Sequence, residues 1–243
     1  MRVDVFFTPL GVTPADVTGR PVLVLDILRA TTTMVEALAN GARAVVPASA
    51  PDEAIRIAQQ LAPGSRLLAG ERRAERIEGF DLGNSPGEMT RAVVEGKTIV
   101  MATTNGTPAF AVAEPGRPVY AAAATNFSAV VEAARPAVEA AHGVAILCAG
   151  RERMFSLEDA YAAGRFAQAL LPQGGRRAAR LNDAAVAALE LVRHYGDRWK
   201  NAIRASAHAG ELIRLGFRQD VADASNVDRH ALAPLYQDRQ VTA

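Results

Sequence analysis

Val22-Leu23-Val24-Leu25-Asp26-Ile27-Leu28-Arg29-Ala30-Thr31-Thr32-Thr33 is the stretch that decides the fold class. An apolar run stops at a carboxylate, and a polar turn leads into a helical pattern over 31–40 that Gly41 ends. Four more apolar runs end in the same way. Leu67-Leu68-Ala69-Gly70 runs into Glu71, and Thr98-Ile99-Val100-Met101-Ala102 into Thr103-Thr104-Asn105-Gly106. Val119-Tyr120-Ala121 runs into Thr125-Asn126, and Val144-Ala145-Ile146-Leu147 into Cys148-Ala149-Gly150. Repeated strand-to-helix handover predicts an α/β fold built on a mostly parallel or mixed sheet. In such a sheet, ligands bind beyond the carboxyl ends of the strands, so the polar clusters read as one site.

Outward from these runs, residues 1–7 alternate like a strand, Ala44-Val45-Val46 is a short strand, and Pro51-Asp52-Glu53-Ala54 opens a helix with its acids at the positive end of the dipole. Residues 71–88 lose periodicity and form a long polar loop. Loops of that length inside a domain usually serve function, and the embedded Phe80 and Leu82 favour order. Helices are predicted over 86–95, over two turns from Thr107-Pro108, and over 129–141. After Gly150 the pattern turns mainly helical, over 157–171, 178–195 and 206–215. The expected organisation is one domain over 1–243, with an α/β part to about 155 and a helix-rich part over 156–243.

Composition narrows the function. The 243 residues are 49% hydrophobic and 22% charged, enough for a sizeable core, and a formal charge of +1 without a basic stripe argues against nucleic acid. Cys148 is the only cysteine, which excludes an intramolecular disulfide and fits a reducing cytoplasm. No apolar run approaches a membrane span, and the first residues lack the character of a signal peptide, so a cytoplasmic protein is expected. P-loop, G-x-G-x-x-G, G-x-S-x-G and H-E-x-x-H motifs are absent.

What remains points to hard-metal, anion-directed chemistry. Asp26 ends a buried strand, where a carboxylate is costly unless paired or metal-bound. Arg29, Thr31 and Thr32 follow at a helix start and would grip a phosphate or sulfonate, unless Thr31 is merely the cap and Arg29 a surface charge. Thr103, Thr104, Asn105 and Gly106 form a candidate anion nest. Glu71 could join a metal site while Arg72 meets substrate charge. Glu158 and Asp159 are either metal ligands or acids that favour the helix dipole. Cys148 is a nucleophile candidate or a small buried hydrophobe, and none of the four histidines has metal-ligand spacing.

Six stretches, in order over nearly the whole chain, resemble the 2-phosphosulfolactate phosphatase family: Asp26 to Thr33, Gly70-Glu71-Arg72, Gly79-Phe80-Asp81-Leu82-Gly83-Asn84-Ser85-Pro86, Thr103 to Thr107, Cys148-Ala149-Gly150 and Leu157-Glu158-Asp159-Ala160. The Gly-Phe-Asp-Leu-Gly-Asn-Ser-Pro block is the most distinctive, and Leu212 to Gly216 and Asp220-Val221 are similar more loosely. One departure is Arg73-Ala74, near where the family pattern carries a glycine.

The resemblance implies a three-layer α/β/α fold and a Mg²⁺-dependent phosphatase that converts (2R)-2-phospho-3-sulfolactate to 3-sulfolactate and phosphate, on a route to coenzyme M. Asp26, Glu71, Glu158 and Asp159 are then the expected catalytic and metal-holding residues. Arg29, Thr31, Thr32, Arg72, Asp81, Asn84, Thr103, Thr104, Asn105, Gly106, Asn126, Cys148 and Gly150 are expected around the small anionic phosphorylated substrate. Neither nucleic acid nor membrane is an expected partner; a homo-oligomer, a dimer in the simplest case, is the expected assembly. A phosphatase for another small phosphocarboxylate and a non-catalytic binder of an anionic metabolite are the alternatives.

Overall fold

Each apolar run forms a strand and sends its side chains alternately into two helical layers, which is why these strands need no polar face. In the computed structural model, which describes residues 1–243, the strands are β1 (Arg2–Phe6), β2 (Val22–Leu25), β3 (Ala44–Ala48), β4 (Arg66–Arg72), β5 (Glu75–Arg76), β6 (Thr98–Ala102), β7 (Val119–Ala122), β8 (Gly143–Cys148), β9 (Arg180–Leu181), β10 (Leu235–Gln237) and β11 (Gln240–Thr242). They make one mixed sheet in the order β5-β4-β6-β3-β11-β10-β7-β2-β8-β1-β9. The central strand β2 pairs in parallel with β7 and β8, and β6 pairs in parallel with β3 and β4.

The helices are α1 (Pro14–Val17), α2 (Ala30–Ala39), α3 (Pro51–Gln59), α4 (Arg91–Val94), α5 (Gly106–Ala113), α6 (Phe127–Ala140), α7 (Leu157–Leu170), α8 (Asp183–Tyr195), α9 (Trp199–Arg204), α10 (Ala207–Arg214) and α11 (Arg218–Asp223). Leu23 and Leu25 of β2 enter a core built with α6 to α11. Val22 and Val24 enter the opposite core, with Met34 of α2 and Phe110 of α5. The sheet is therefore covered on both faces, the three-layer α/β/α arrangement. No helix is long and apolar enough to cross a membrane.

Two helix expectations need correction, and one pair of strands lies where the sequence pattern indicated none. The helix expected over 86–95 is a 3-10 turn, Pro86–Glu88, followed by the single-turn α4. Glu88 reaches back to accept from Gly83 N at 2.9 Å and so closes the turn early. The helix expected over 178–195 starts only at Asp183, because Arg180 and Leu181 are drawn into pairing with β1 and Asn182 caps the helix through Ala185 N. Finally, β10 and β11 form a hairpin that fills the gap between β3 and β7, antiparallel to both. Tyr236 of that hairpin packs against Phe110 at 5.1 Å, and Val241 is fully buried.

A carboxylate at Val241 would have no partner in this apolar seam. Val241→Asp should lower unfolding stability by about 3 kcal/mol or more, measured by urea titration; a loss under about 1 kcal/mol would show that the hairpin is dispensable.

Candidate active site

At the carboxyl ends of β2, β4, β6 and β8, backbone amides converge on acidic side chains. Asp26 Oδ1 accepts from Ala30 N at 3.1 Å across the turn into α2. Glu71 accepts from Thr104 N at 2.9 Å through Oε1 and from Ala74 N at 3.0 Å through Oε2, which ties β4 to the turn after β6. Asp159, in the first turn of α7, accepts from Ile27 N at 2.9 Å and from Gly150 N at 3.1 Å and so staples the end of β2 to that of β8. The backbone approaches closely here. A Cβ on Gly106 would lie 2.6 Å from Asp26 Oδ2 and 2.4 Å from Ala30 Cβ, so the first residue of α5 has to be glycine.

These carboxyls share a poorly hydrated volume, and their acidities separate. Burial pushes Asp26 up to about 7; the His208 charge and the Ala30 amide oppose the rise, while Glu71 and Glu158 add to it. Burial, with the charges of Glu158 and Asp26, also pushes Asp159 well above the usual carboxylate range. Glu158 is buried as well, but its hydrogen bond and charge interaction with His208 outweigh that and leave it below the usual value. His208 Nδ1 lies 3.2 Å from Glu158 Oε1, whereas Glu158 Oε2 is buried with no partner.

A pocket of about 420 Å³ opens over these groups. Asp26, Glu71, Asn84, Thr104 and Asn105 lie in its wall, joined by Arg29, Arg72 and Arg73 from one side and by Arg151, His208 and Glu211 from the other. The helix-rich part therefore caps the site. Arg29 is buried, pairs with Asp220 of α11 at 2.7 Å, donates to Ala74 O at 3.0 Å and lies 4.4 Å from the Phe217 ring centroid. Asp220 also accepts from Ser85 Oγ at 2.6 Å, which locks the distinctive loop to the cap. Arg151 pairs with Glu211 of α10.

The structure brings Asp26, Arg29, Glu71, Arg72, Asn84, Thr104 and Asn105 together at the pocket, with Gly106 against Asp26. Other expected residues have different roles. Thr31 Oγ1 donates to Asp26 O and Thr32 Oγ1 to Ile27 O, so neither hydroxyl is presented to a ligand. Thr103 caps α5 by accepting from Thr107 N. Asn126 spends its amide on Ala121 O, Leu232 O and Ala123 N. Cys148 is wholly buried, and burial raises its thiol well above the ordinary value. Gly150 serves Asp159, and Asp81 is exposed and accepts from Leu68 N at 2.8 Å, away from the pocket.

No three His, Cys, Asp and Glu side chains converge as a protein-only metal cage. Magnesium does not require one, since it is usually held by one or two carboxylates with water and substrate phosphate completing the shell. The donors fit a hard cation. Asp26 Oδ2 makes no hydrogen bond, and Glu158 Oε2 is buried without a partner. Glu71 and Asp159 fit less well than expected, because each oxygen of both already accepts a main-chain amide.

Two outcomes follow for stability. A folded-state value near 7 for Asp26 means that the native state keeps a proton the unfolded chain has released, so stability falls as pH rises from about 4 to about 7. Asp26→Asn keeps the acceptor for Ala30 N and removes the charge. In chelator at pH 8 it should be more stable than the parent by a few kcal/mol, with a flatter pH profile by urea titration; equal profiles would refute the raised value. Asp220→Ala strands the buried Arg29 charge and should cost about 3 kcal/mol or more.

Sequence comparison supplies an independent line. The family model described as 2-phosphosulpholactate phosphatase matches residues 6–239. A protein of Symbiobacterium thermophilum named probable 2-phosphosulfolactate phosphatase is 40% identical over 234 residues, covering 96% of this chain and 98% of its own. Proteins of the same name from Deinococcus radiodurans and Thermotoga maritima are 40% and 35% identical over 213 and 232 residues. The alignments cover 87% and 96% of this chain and 85% and 94% of theirs.

Proposed function

The chain belongs to the 2-phosphosulfolactate phosphatase family, and we propose that it hydrolyses (2R)-2-phospho-3-sulfolactate to (2R)-3-sulfolactate and phosphate with Mg²⁺. The observation that carries this reading is one pocket holding a carboxylate with a free oxygen, Asp26, beside two arginines with no carboxylate partner, Arg72 and Arg73. Such a pocket suits a ligand that brings several negative charges together with a cation.

The substrate carries a phosphomonoester, a carboxylate and a sulfonate on three carbons. Arg72 offers its guanidinium and Asn84 and Thr104 their polar side chains from three different elements, so the substrate is held at several points and the phosphorus is oriented for in-line attack. Asp26 lies in the pocket wall with Oδ2 free of hydrogen bonds, where it can orient a water molecule beside the phosphorus. Glu71 is held from both sides by Thr104 and Ala74 amides and keeps the β4 turn and the β6 turn in fixed relation. Glu158, oriented by His208, adds negative charge near Asp26. Bound Mg²⁺, held by Asp26 and Glu158 with Glu71 adjacent, would supply Lewis-acid stabilisation of the charge on the phosphoryl oxygens.

Phosphate release from phosphosulfolactate should require Mg²⁺, stop in chelator, and exceed release from phospholactate, phosphoglycolate and phosphoglycerate. Asp26→Asn should reduce kcat by about a thousandfold while remaining folded. Faster turnover of a substrate without the sulfonate would reject the specificity, and an active Asp26→Asn would remove Asp26 from the chemistry.

A further inference from the structure

We propose that Arg73, at the tip of the β4–β5 turn, is the residue that selects a second strong anion, the sulfonate, on the bound substrate. The proposal rests on the phosphatase reading for the identity of that anion, and on three observations for the residue.

First, the charges around the pocket sort themselves. Of the four arginines in its wall, Arg29 is neutralised by Asp220 and Arg151 by Glu211. Arg72 and Arg73 have no carboxylate partner, and Arg72 donates to Glu71 O at 2.9 Å. Arg73 makes no hydrogen bond with its side chain and so has its whole guanidinium fork available, which suits a sulfonate's planar face of oxygens.

Second, the backbone under Arg73 is held in a conformation that its own residue types disfavour. Arg73 has φ 55° and Ala74 φ 68°, two consecutive non-glycine residues in the left-handed region of a two-residue turn that pairs Arg72 with Glu75. Asn-Gly or Gly-Gly is the usual solution for such a turn, and the strain of left-handed non-glycine residues tends to persist where surrounding structure over-determines it, commonly at functional sites.

Third, that surrounding structure is the active site itself. Ala74 N donates to Glu71 Oε2 and Ala74 O accepts from Arg29 Nη2, so the turn is clamped by the two residues that organise the pocket floor. The tip is thereby aimed at the pocket mouth, where an arginine meets a ligand group projecting beyond the phosphate. A side chain that leaves the strain in place and lacks the charge would contribute nothing here.

Binding and turnover test this together. The dissociation constant of 3-sulfolactate, which carries the sulfonate but no phosphate, is measured by calorimetry for the parent, Arg73→Gly and Arg73→Lys, alongside phosphate release from phosphosulfolactate and phospholactate. Arg73→Gly relieves the left-handed strain and should raise the melting temperature by about 2 °C, yet weaken sulfolactate binding about ten- to hundredfold and lower the phosphosulfolactate to phospholactate ratio of kcat/KM by a similar factor. Arg73→Lys should recover part of both. Sulfolactate binding within threefold of the parent in Arg73→Gly, or no sulfolactate binding by the parent, overturns the proposal. Absence of phosphate release from every ester while sulfolactate still binds through Arg73 overturns the phosphatase reading alone and leaves Arg73 as the sulfonate residue.

Discussion

Four acidic side chains, Asp26, Glu71, Glu158 and Asp159, are buried within reach of one another's charge, and the loops at the top of the sheet are shaped to make that tolerable. Unpaired buried carboxylates are among the costliest features a fold can carry. Here five main-chain amides answer three of them: Ala30 for Asp26, Thr104 and Ala74 for Glu71, Ile27 and Gly150 for Asp159. Because the amides come from four turns, those after β2, β4, β6 and β8, Glu71 and Asp159 act as rivets between turns, and the geometry of the pocket is set by the acceptor positions.

The positive side obeys a division of labour. Arg29 is sealed between Asp220, Ala74 and Phe217, and its charge holds the C-terminal helices on the sheet. Arg151 is matched by Glu211 across the opposite rim. With those two arginines neutralised within the protein, the remaining guanidinium groups are left for ligand. The cap thus determines which cations face the pocket as well as what covers it.

Much of this was legible along the chain because strand ends are local features. Asp26 and Glu71 stand where apolar runs stop, and the Thr104-Asn105-Gly106 turn is a contiguous signal. His208, Glu211 and Asp220 were invisible for the opposite reason. They sit on amphipathic helices whose periodicity is that of any packed helix, and only tertiary folding brings them over Glu158, Arg151 and Arg29. The looser likeness around Asp220-Val221 was the one available hint. Thr31 and Thr32 misled because a helix-start hydroxyl serves the neighbouring carbonyl as readily as a ligand, and here it does. Asp81 and Asn126 misled similarly, since polar side chains near strand ends also satisfy stray backbone groups. The last hairpin left no trace because strands of three residues are too short to show alternation.

That hairpin has a consequence for how the protein comes into being. Hydrogen bonding across the sheet is continuous between β3 and β7 only through residues 235–242, so the group β5-β4-β6-β3 and the group β7-β2-β8-β1-β9 remain separate ribbons until those residues arrive. On the ribosome, the strands on both sides are made long before the piece that joins them. Joining the two groups therefore depends on very long-range pairings, Leu235 with Tyr120 and Val241 with Val45, the slow and aggregation-exposed kind of contact. Until that pairing forms, the facing edges of β3 and β7 carry unpaired main-chain groups, and the seam between them is where a wrong strand could add.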